Sequence, residues 1–160
     1  MLFRSRLVDN GFIPRRMAEL VNVEQLAAFF ESDLYAALRD ASDIHREQRF
    51  NIMLPAATFS EHPETVTMLE GEQLLVQGVI DLFFTDADGS LILCDYKTDR
   101  LTPSELADPA LAQAKLKERH GTQLSYYAAA LYRMCGRRPD RVVIYSLPLG
   151  RTVDIEVEII

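Results

Sequence analysis

Apolar residues recur at helical spacing in Leu26, Phe29, Phe30, Leu34 and Leu38, which predicts one amphipathic helix over about Val23 to Arg39. Asn22 can cap its start, because an asparagine side chain accepts a free backbone N–H. The run HREQRFNIML reads as a strand from His45 to Leu54, closed by Pro55. Segment 56–71 is expected to be a loop with room for a short strand near Thr65 to Leu69. Two strands follow, about Leu74 to Thr85 and Ser90 to Thr98. DADG between them is strong turn chemistry, because Gly89 tolerates a positive φ. A polar stretch with Pro103 and Pro109 leads into a long helix from about Pro109 to Cys135, in which Gly121 is the point where a break could fall, with a stop at Gly136. RVVIYSL and TVDIEVEII alternate as strands. The first 16 residues are expected to be loop-like, with Gly11 and Pro14 as breakers. This order predicts an α/β fold, a mixed central sheet flanked by helices. No repeat or low-complexity linker divides the chain. It reads as one domain, 1–160, with an arm over 1–22, a helical region over 23–44 and a core over 45–160.

Composition adds bounds. The chain has 160 residues, 48% hydrophobic and 26% charged, enough for a single ordinary core. Its formal net charge of -7 argues against a free-standing DNA-binding module. If nucleic acid is the substrate, a metal ion or a partner must offset the repulsion. Cys94 and Cys135 are the two cysteines. Two isolated thiols cannot build a zinc or iron–sulfur site, so both are expected to be buried and reduced. No apolar run approaches the roughly 20 residues that span a bilayer. MLFRSRLVDNGFIPRR lacks the apolar centre of a signal peptide. A cytoplasmic protein with no membrane partner is expected.

Candidate chemistry concentrates in QGVIDLFFTDADGSLILCDYKTD, residues 77–99. Here strands that should bury apolar groups carry Asp81, Asp95 and Lys97. Side chains alternate along a strand, so Asp95 and Lys97 share a face and Tyr96 points away. A three-residue loop, Ala87 to Gly89, pairs Asp86 with Ser90 and places Asp81 across from Asp95. A loop of two or four residues would put the carboxylates on opposite faces. The odd loop also leaves Ile80, Leu82, Phe84, Ile92 and Cys94 as the other, apolar face.

Facing carboxylates repel unless a cation lies between them, and hard oxygen donors suit Mg²⁺ or Mn²⁺. The backbone carbonyl of Tyr96 can add a ligand. Lys97 can orient an attacking water or offset phosphate charge. On the late helix, Gln123 and Tyr127 lie four residues apart on one face. Glu47, in the early strand, is a further candidate acid. Each of these has an ordinary reading too: ion pairs on a solvated sheet face, and an amphipathic helix with a bordering tyrosine. His45, His62 and His120 are expected to be plain surface or loop residues.

Taken in order, REQRFNI, GVIDLFF, DYKTD and QLSYYAAAL resemble the PD-(D/E)XK nuclease superfamily, in particular the AddA/RecB-type nuclease domain of bacterial helicase–nucleases. The resemblance covers about His45 to Leu147. It implies a restriction-endonuclease-like core in which Asp81 and Asp95 bind metal, Lys97 is the catalytic lysine and Glu47 assists at the metal. It also implies that Gln123 and Tyr127 border the active site and help hold DNA. The implied activity is metal-dependent hydrolysis of DNA phosphodiester bonds by an exonuclease, in bacterial double-strand-break repair and recombination at the nucleoid. The family pattern also includes a metal-ligating histidine on a helix upstream of the glutamate strand, and no histidine precedes His45 here.

No GxxxxGK[ST] phosphate loop occurs, so the chain is not itself a helicase. The expected arrangement is a nuclease piece of a longer protein, working with a helicase motor that supplies the basic channel. Arg100, Lys115, Lys117, Arg119, Arg133, Arg137 and Arg138 tilt the second half toward positive, and some can contact phosphates. Two other readings stay open: a catalytically inactive nuclease fold that docks a partner or DNA, and an independent small exonuclease.

Overall fold

The computed structural model describes residues 2–60 and 62–158. Its centre is a five-stranded sheet in the order β1 (Asp43–Pro55), β2 (Gln73–Thr85), β3 (Leu91–Lys97), β4 (Arg141–Ser146), β5 (Arg151–Asp154). Only β3 and β4 run parallel; the other neighbours are antiparallel. A parallel pair needs a crossover, and helix α7 (Pro109–Cys135), preceded by the short α6 (Pro103–Ala107), supplies it. The sheet is therefore mixed, flanked by helices on both faces, as the sequence pattern indicates.

One core layer lies between the sheet and α7, where Phe50, Leu54, Leu93, Leu116, Leu124 and Leu131 pack together. The other lies between the sheet and α3 (Val23–Phe30) with α4 (Asp33–Asp40), around Leu34, Leu38, Leu82, Phe84 and Tyr145. Helix α7 starts on Asp108, whose carboxylate accepts from Ala110 N and Leu111 N, and stops on Gly136 at φ 69°. It is one long helix, as expected, and runs through Gly121 without a break. Leu116 and Leu124 on either side of that glycine are buried, and this anchoring outweighs the modest helical penalty of one glycine.

Other elements depart from the sequence reading. The expected helix over 23–39 is two. Asn22 does cap the first, accepting from Gln25 N at 3.0 Å. Ser32 then ends it and starts the next, donating to Phe29 O at 2.6 Å and accepting from Tyr35 N at 3.3 Å. The loop-like start holds α1 (Leu2–Asp9) and α2 (Arg15–Ala18), with Gly11 at φ 72° between them. Segment 56–71 holds a 3₁₀ turn, Ala56–Phe59, and α5 (Pro63–Met68) rather than a strand; Pro63 is preset for a first helical turn. The last strand is Arg151–Asp154, shorter than TVDIEVEII suggests; Asp154 pairs with Val143, and one further backbone bond, Ile155 N to Val142 O at 2.8 Å, lies beyond it. Residues 159 and 160 of the expected strand lie outside the described residues. Cys94 is buried, but Cys135, the last residue of α7, is exposed.

Candidate active site

The β2–β3 turn has the odd length that the site requires. Asp86 N donates to Ser90 O at 3.0 Å, Gly89 takes φ 83°, and Leu82 pairs with Cys94. One residue further, Asp81 faces Asp95. The backbone ladder ends there, and a side chain takes over: Asp81 Oδ2 accepts the Tyr96 N–H at 3.0 Å. Both carboxylates are thereby brought to the fork where the two strands part.

The apolar partition differs from expectation at this fork. Ile80 packs in the α7-side core, whereas Leu82, Phe84, Ile92 and Cys94 pack in the opposite one. On β1, Phe50 and Ile52 likewise face α7 while Ile44 faces the other way. Strict alternation would keep each set together. It breaks at Glu47, a non-glycine residue at φ 51°, which lies opposite Asp81 between the pairs Arg46–Leu82 and Gln48–Ile80. Both strands turn over at this point, and Asp81 is left half-buried on the turn.

Asp95 is the buried acid, 1% exposed. Lys97 Nζ lies 2.5 Å from its Oδ2, and donates to Gln123 Oε1 at 2.9 Å. Gln123 Nε2 in turn donates to Tyr127 Oη at 2.7 Å. The Tyr127 ring meets Phe50 edge-on, with centroids 5.7 Å apart. Gly78 underlies both rings: a Cβ there would fall 2.7 Å from Phe50 and 3.5 Å from Tyr127. Strand and helix thus deliver one continuous polar chain, Asp95–Lys97–Gln123–Tyr127, over an apolar floor. Burial pushes the Asp95 carboxyl up; Lys97 opposes it, Asp81 adds to it and His120 offsets part of it. Burial likewise raises the Tyr127 phenol, against the Gln123 hydrogen bond.

Two expectations need revision. His120 is not a plain surface histidine. It lies on α7 with 17% of its side chain exposed, and its Nε2 meets Asp99 Oδ2 at 3.0 Å. The spacing of His120, Gln123 and Tyr127, three and then four residues, is the signal that could flag it, because such residues share a helix face. His45 lies in β1, bound to Asp43 at 2.9 Å and stacked on Phe83 at 4.4 Å. His62 is an exposed residue at the start of α5, as expected. The basic residues of the second half are mostly engaged. Lys115, Lys117, Arg119 and Arg137 pair with Glu118, Glu156, Asp99 and Asp140, and Arg138 lies over the Tyr132 ring.

Asp81 and Asp95 supply hard oxygen donors at one fork. Asp95 Oδ2 is buried and, despite the nearby ammonium, accepts no well-oriented hydrogen bond. That donor set fits Mg²⁺, which is commonly held by one or two carboxylates with water and substrate oxygens completing the shell. Glu47 is exposed, and among the described residues no three His, Cys, Asp or Glu side chains form one metal-holding group.

A mixed sheet flanked by helices, with Asp81 and the DYK tripeptide at a strand fork and a Gln-x-x-x-Tyr helix beside them, defines a nuclease-type α/β domain. The chain belongs to the PD-(D/E)XK nuclease superfamily, whose family model matches residues 7–156. It is similar to an ATP-dependent helicase/nuclease subunit of Bacillus pumilus (strain SAFR-032), 37% identical over 139 residues, 87% of this chain and 11% of that protein. The subunit of the same name from Geobacillus kaustophilus (strain HTA426) is 34% identical over 151 residues, 94% of this chain and 12% of that protein. That from Clostridium botulinum (strain Loch Maree / Type A3) is 28% identical over 152 residues, 95% of this chain and 11% of that protein. The chain thus spans only about a ninth of the length of these relatives. No helix among the described residues is long and apolar enough to cross a membrane.

Proposed function

We propose that this chain is a divalent-metal-dependent DNA exonuclease domain that acts beside a helicase motor in repair and recombination of double-strand breaks. The observation that carries the reading is Lys97, held between buried Asp95 and Gln123. A lysine so fixed can be aimed at a phosphate or an attacking water, because its rotamer freedom is already spent. Asp81 and Asp95 would hold Mg²⁺ or Mn²⁺, with the Tyr96 carbonyl as a further donor and Glu47 assisting. When bound, the cation supplies charge that offsets what develops on the phosphate. Tyr127 borders the site and, with Gln123, orients Lys97 and helps hold the DNA strand. The names of the relatives support a helicase partner; cytoplasmic location and work at the nucleoid are parts of the same proposal. A motor would also offset the chain's acidic balance of -7 by gripping DNA with its own positive charge.

The test is cleavage of end-labelled single-stranded and duplex DNA by the purified chain with Mg²⁺, with Mn²⁺ and with chelator. Chelator-sensitive cleavage that is absent from Asp95→Ala and Lys97→Ala is expected. Cleavage indifferent to both substitutions rejects the assignment. The chain's acidic balance of -7 also suits one competing reading, a non-catalytic docking or DNA-binding module. That reading requires no cleavage at any metal concentration, with binding that survives Asp81→Ala. A longer reading frame encoding motor motifs upstream would favour the helicase-linked reading over an independent small exonuclease.

A further inference from the structure

Past Lys97 the chain leaves the sheet and runs toward α7, and Asp99 lies on this exit. Its Oδ1 accepts from Arg119 Nη1 at 3.2 Å, and its Oδ2 meets His120 Nε2 at 3.0 Å. The same Arg119 nitrogen also donates to the Arg100 carbonyl at 3.3 Å. One carboxylate therefore grips two consecutive helical residues, whose side chains leave the axis roughly 100° apart. Such a grip opposes both rotation and sliding of α7 about the end of β3.

The other polar contacts of α7 at this end, Gln113 Nε2 to the Asp154 carbonyl at 2.7 Å and Lys117 to Glu156 at 3.6 Å, reach the end of β5 and the chain after it, not the exit of β3. Leu116, Leu124 and Ala128 are buried apolar side chains, and apolar burial is non-directional. Lys97 and Gln123 are long side chains whose ordering costs entropy, so their bond depends on the two backbones being held at the right height. His120 lies one helical turn before Gln123 and two before Tyr127, on the same face.

We propose that Asp99 is a positioning residue: by clamping Arg119 and His120 it sets the register of α7 against β3, so that Gln123 holds Lys97 beside Asp95. The catalytic part of this inference rests on the nuclease reading above; the clamp itself is a property of the fold and can be read without turnover. Asp99 spends its charge on two internal partners, which keep its carboxyl below the usual range although burial works against them. Arg119 and the His120 ring are both already committed to this carboxylate, which suits positioning better than phosphate capture.

The experiment uses the 160-residue chain, labelled with ¹⁵N, with the Gln123 side-chain amide signal assigned by its disappearance in Gln123→Ala. In the unaltered chain this amide should show a shift distinct from exposed glutamines and slowed hydrogen exchange. Asp99→Ala should move the signal to the exposed-glutamine position and speed its exchange. His120→Phe, which keeps a ring but no donor, should do the same should Asp99→Ala fail to fold; His120→Gln, which keeps a donor, should restore it. In DNA cleavage, Asp99→Ala should lower kcat by up to about 100-fold, the cost of a small misplacement, with KM unchanged. A Gln123 signal unmoved by Asp99→Ala and His120→Phe overturns the clamp, and so does a raised KM at unchanged kcat, which would make the pair a substrate-binding group. If the unaltered chain cuts no DNA, the nuclease reading falls while the amide signal still decides the clamp.

Discussion

Asp95 and Lys97, two residues apart on β3, meet at 2.5 Å with the carboxylate side chain 2% exposed and the lysine 16%. Removing either member should have unequal effects. Lys97→Met strands a buried carboxylate, which costs up to about 3–5 kcal/mol. Burial already raises the Asp95 carboxyl and Lys97 is the chief group opposing it. A raised carboxyl is penalised while charged, so the deficit should shrink as pH falls and Asp95 takes up a proton. Asp95→Asn removes the costly charge and leaves Lys97 its Gln123 partner, so this variant should be at least as stable as the parent while losing cleavage. Urea unfolding of both variants at neutral and acid pH checks the order; a less stable Asp95→Asn would refute it.

Gly78 is required by its neighbours. Its backbone passes under Phe50, and a methyl group there would approach the ring to 2.7 Å. Phe50 is 5% exposed and meets Tyr127, so it cannot yield without moving that tyrosine. Gly78→Ala should therefore cost about 1–3 kcal/mol, the usual penalty of overpacking, and should reduce cleavage through Tyr127. Phe50→Leu alone removes ring volume; combined with Gly78→Ala it should regain part of the lost stability. Additive losses in the double variant would show that the clash is not the cause.

Asp140 ties the start of β3 to the end of the crossover. It accepts from Leu91 N at 2.7 Å and from Arg137 Nη2 at 2.6 Å. The Leu91 N–H, then Arg137, hold its carboxyl below the ordinary range. A depressed carboxyl stabilises the fold above its unfolded value of about 3.9 and ceases to do so as pH falls through the lower folded value. Asp140→Asn should lower Tm at pH 7, and the gap to the parent should close in acid as pH falls through the lowered folded value. A gap that persists in acid would assign the effect to shape, not charge.

The hairpin and the polar set are readable in the sequence because their signals are local. DADG fixes the loop length, the loop length fixes the register, and the register puts Asp81 against Asp95. The long helix is readable from its apolar stripe and caps. The rest is set by tertiary context. Nothing in VNVEQLAAFFESDLYAAL forces a break, yet Ser32 can serve two helices at once. The expected common face of Ile80 and Leu82 fails because β1 and β2 both turn over where Glu47, at φ 51°, lies opposite Asp81. His120 does not stand out because its partner, Asp99, is 21 residues away in sequence.

Glu47 carries the remaining prediction. Its φ of 51° lies in a region that costs a non-glycine residue of order 1–3 kcal/mol. A glycine would adopt the same torsion freely, losing some of the gain to its greater unfolded-state entropy. The cost is therefore carried by a residue that packing does not require, since Glu47 is exposed. It does, however, stand opposite Asp81, where a carboxylate could swing toward the cation. Glu47→Gly should raise stability by about 1 kcal/mol, whereas Glu47→Gln, which keeps the strain, should leave it unchanged. Both should lower metal-dependent cleavage, because both remove the charge. Denaturant unfolding separates the backbone effect and a Mn²⁺ titration of activity separates the charge effect. If Glu47→Gly is destabilised, the torsion is not a reservoir of strain. If Glu47→Gln cleaves as well as the parent, the glutamate has no part in the reaction.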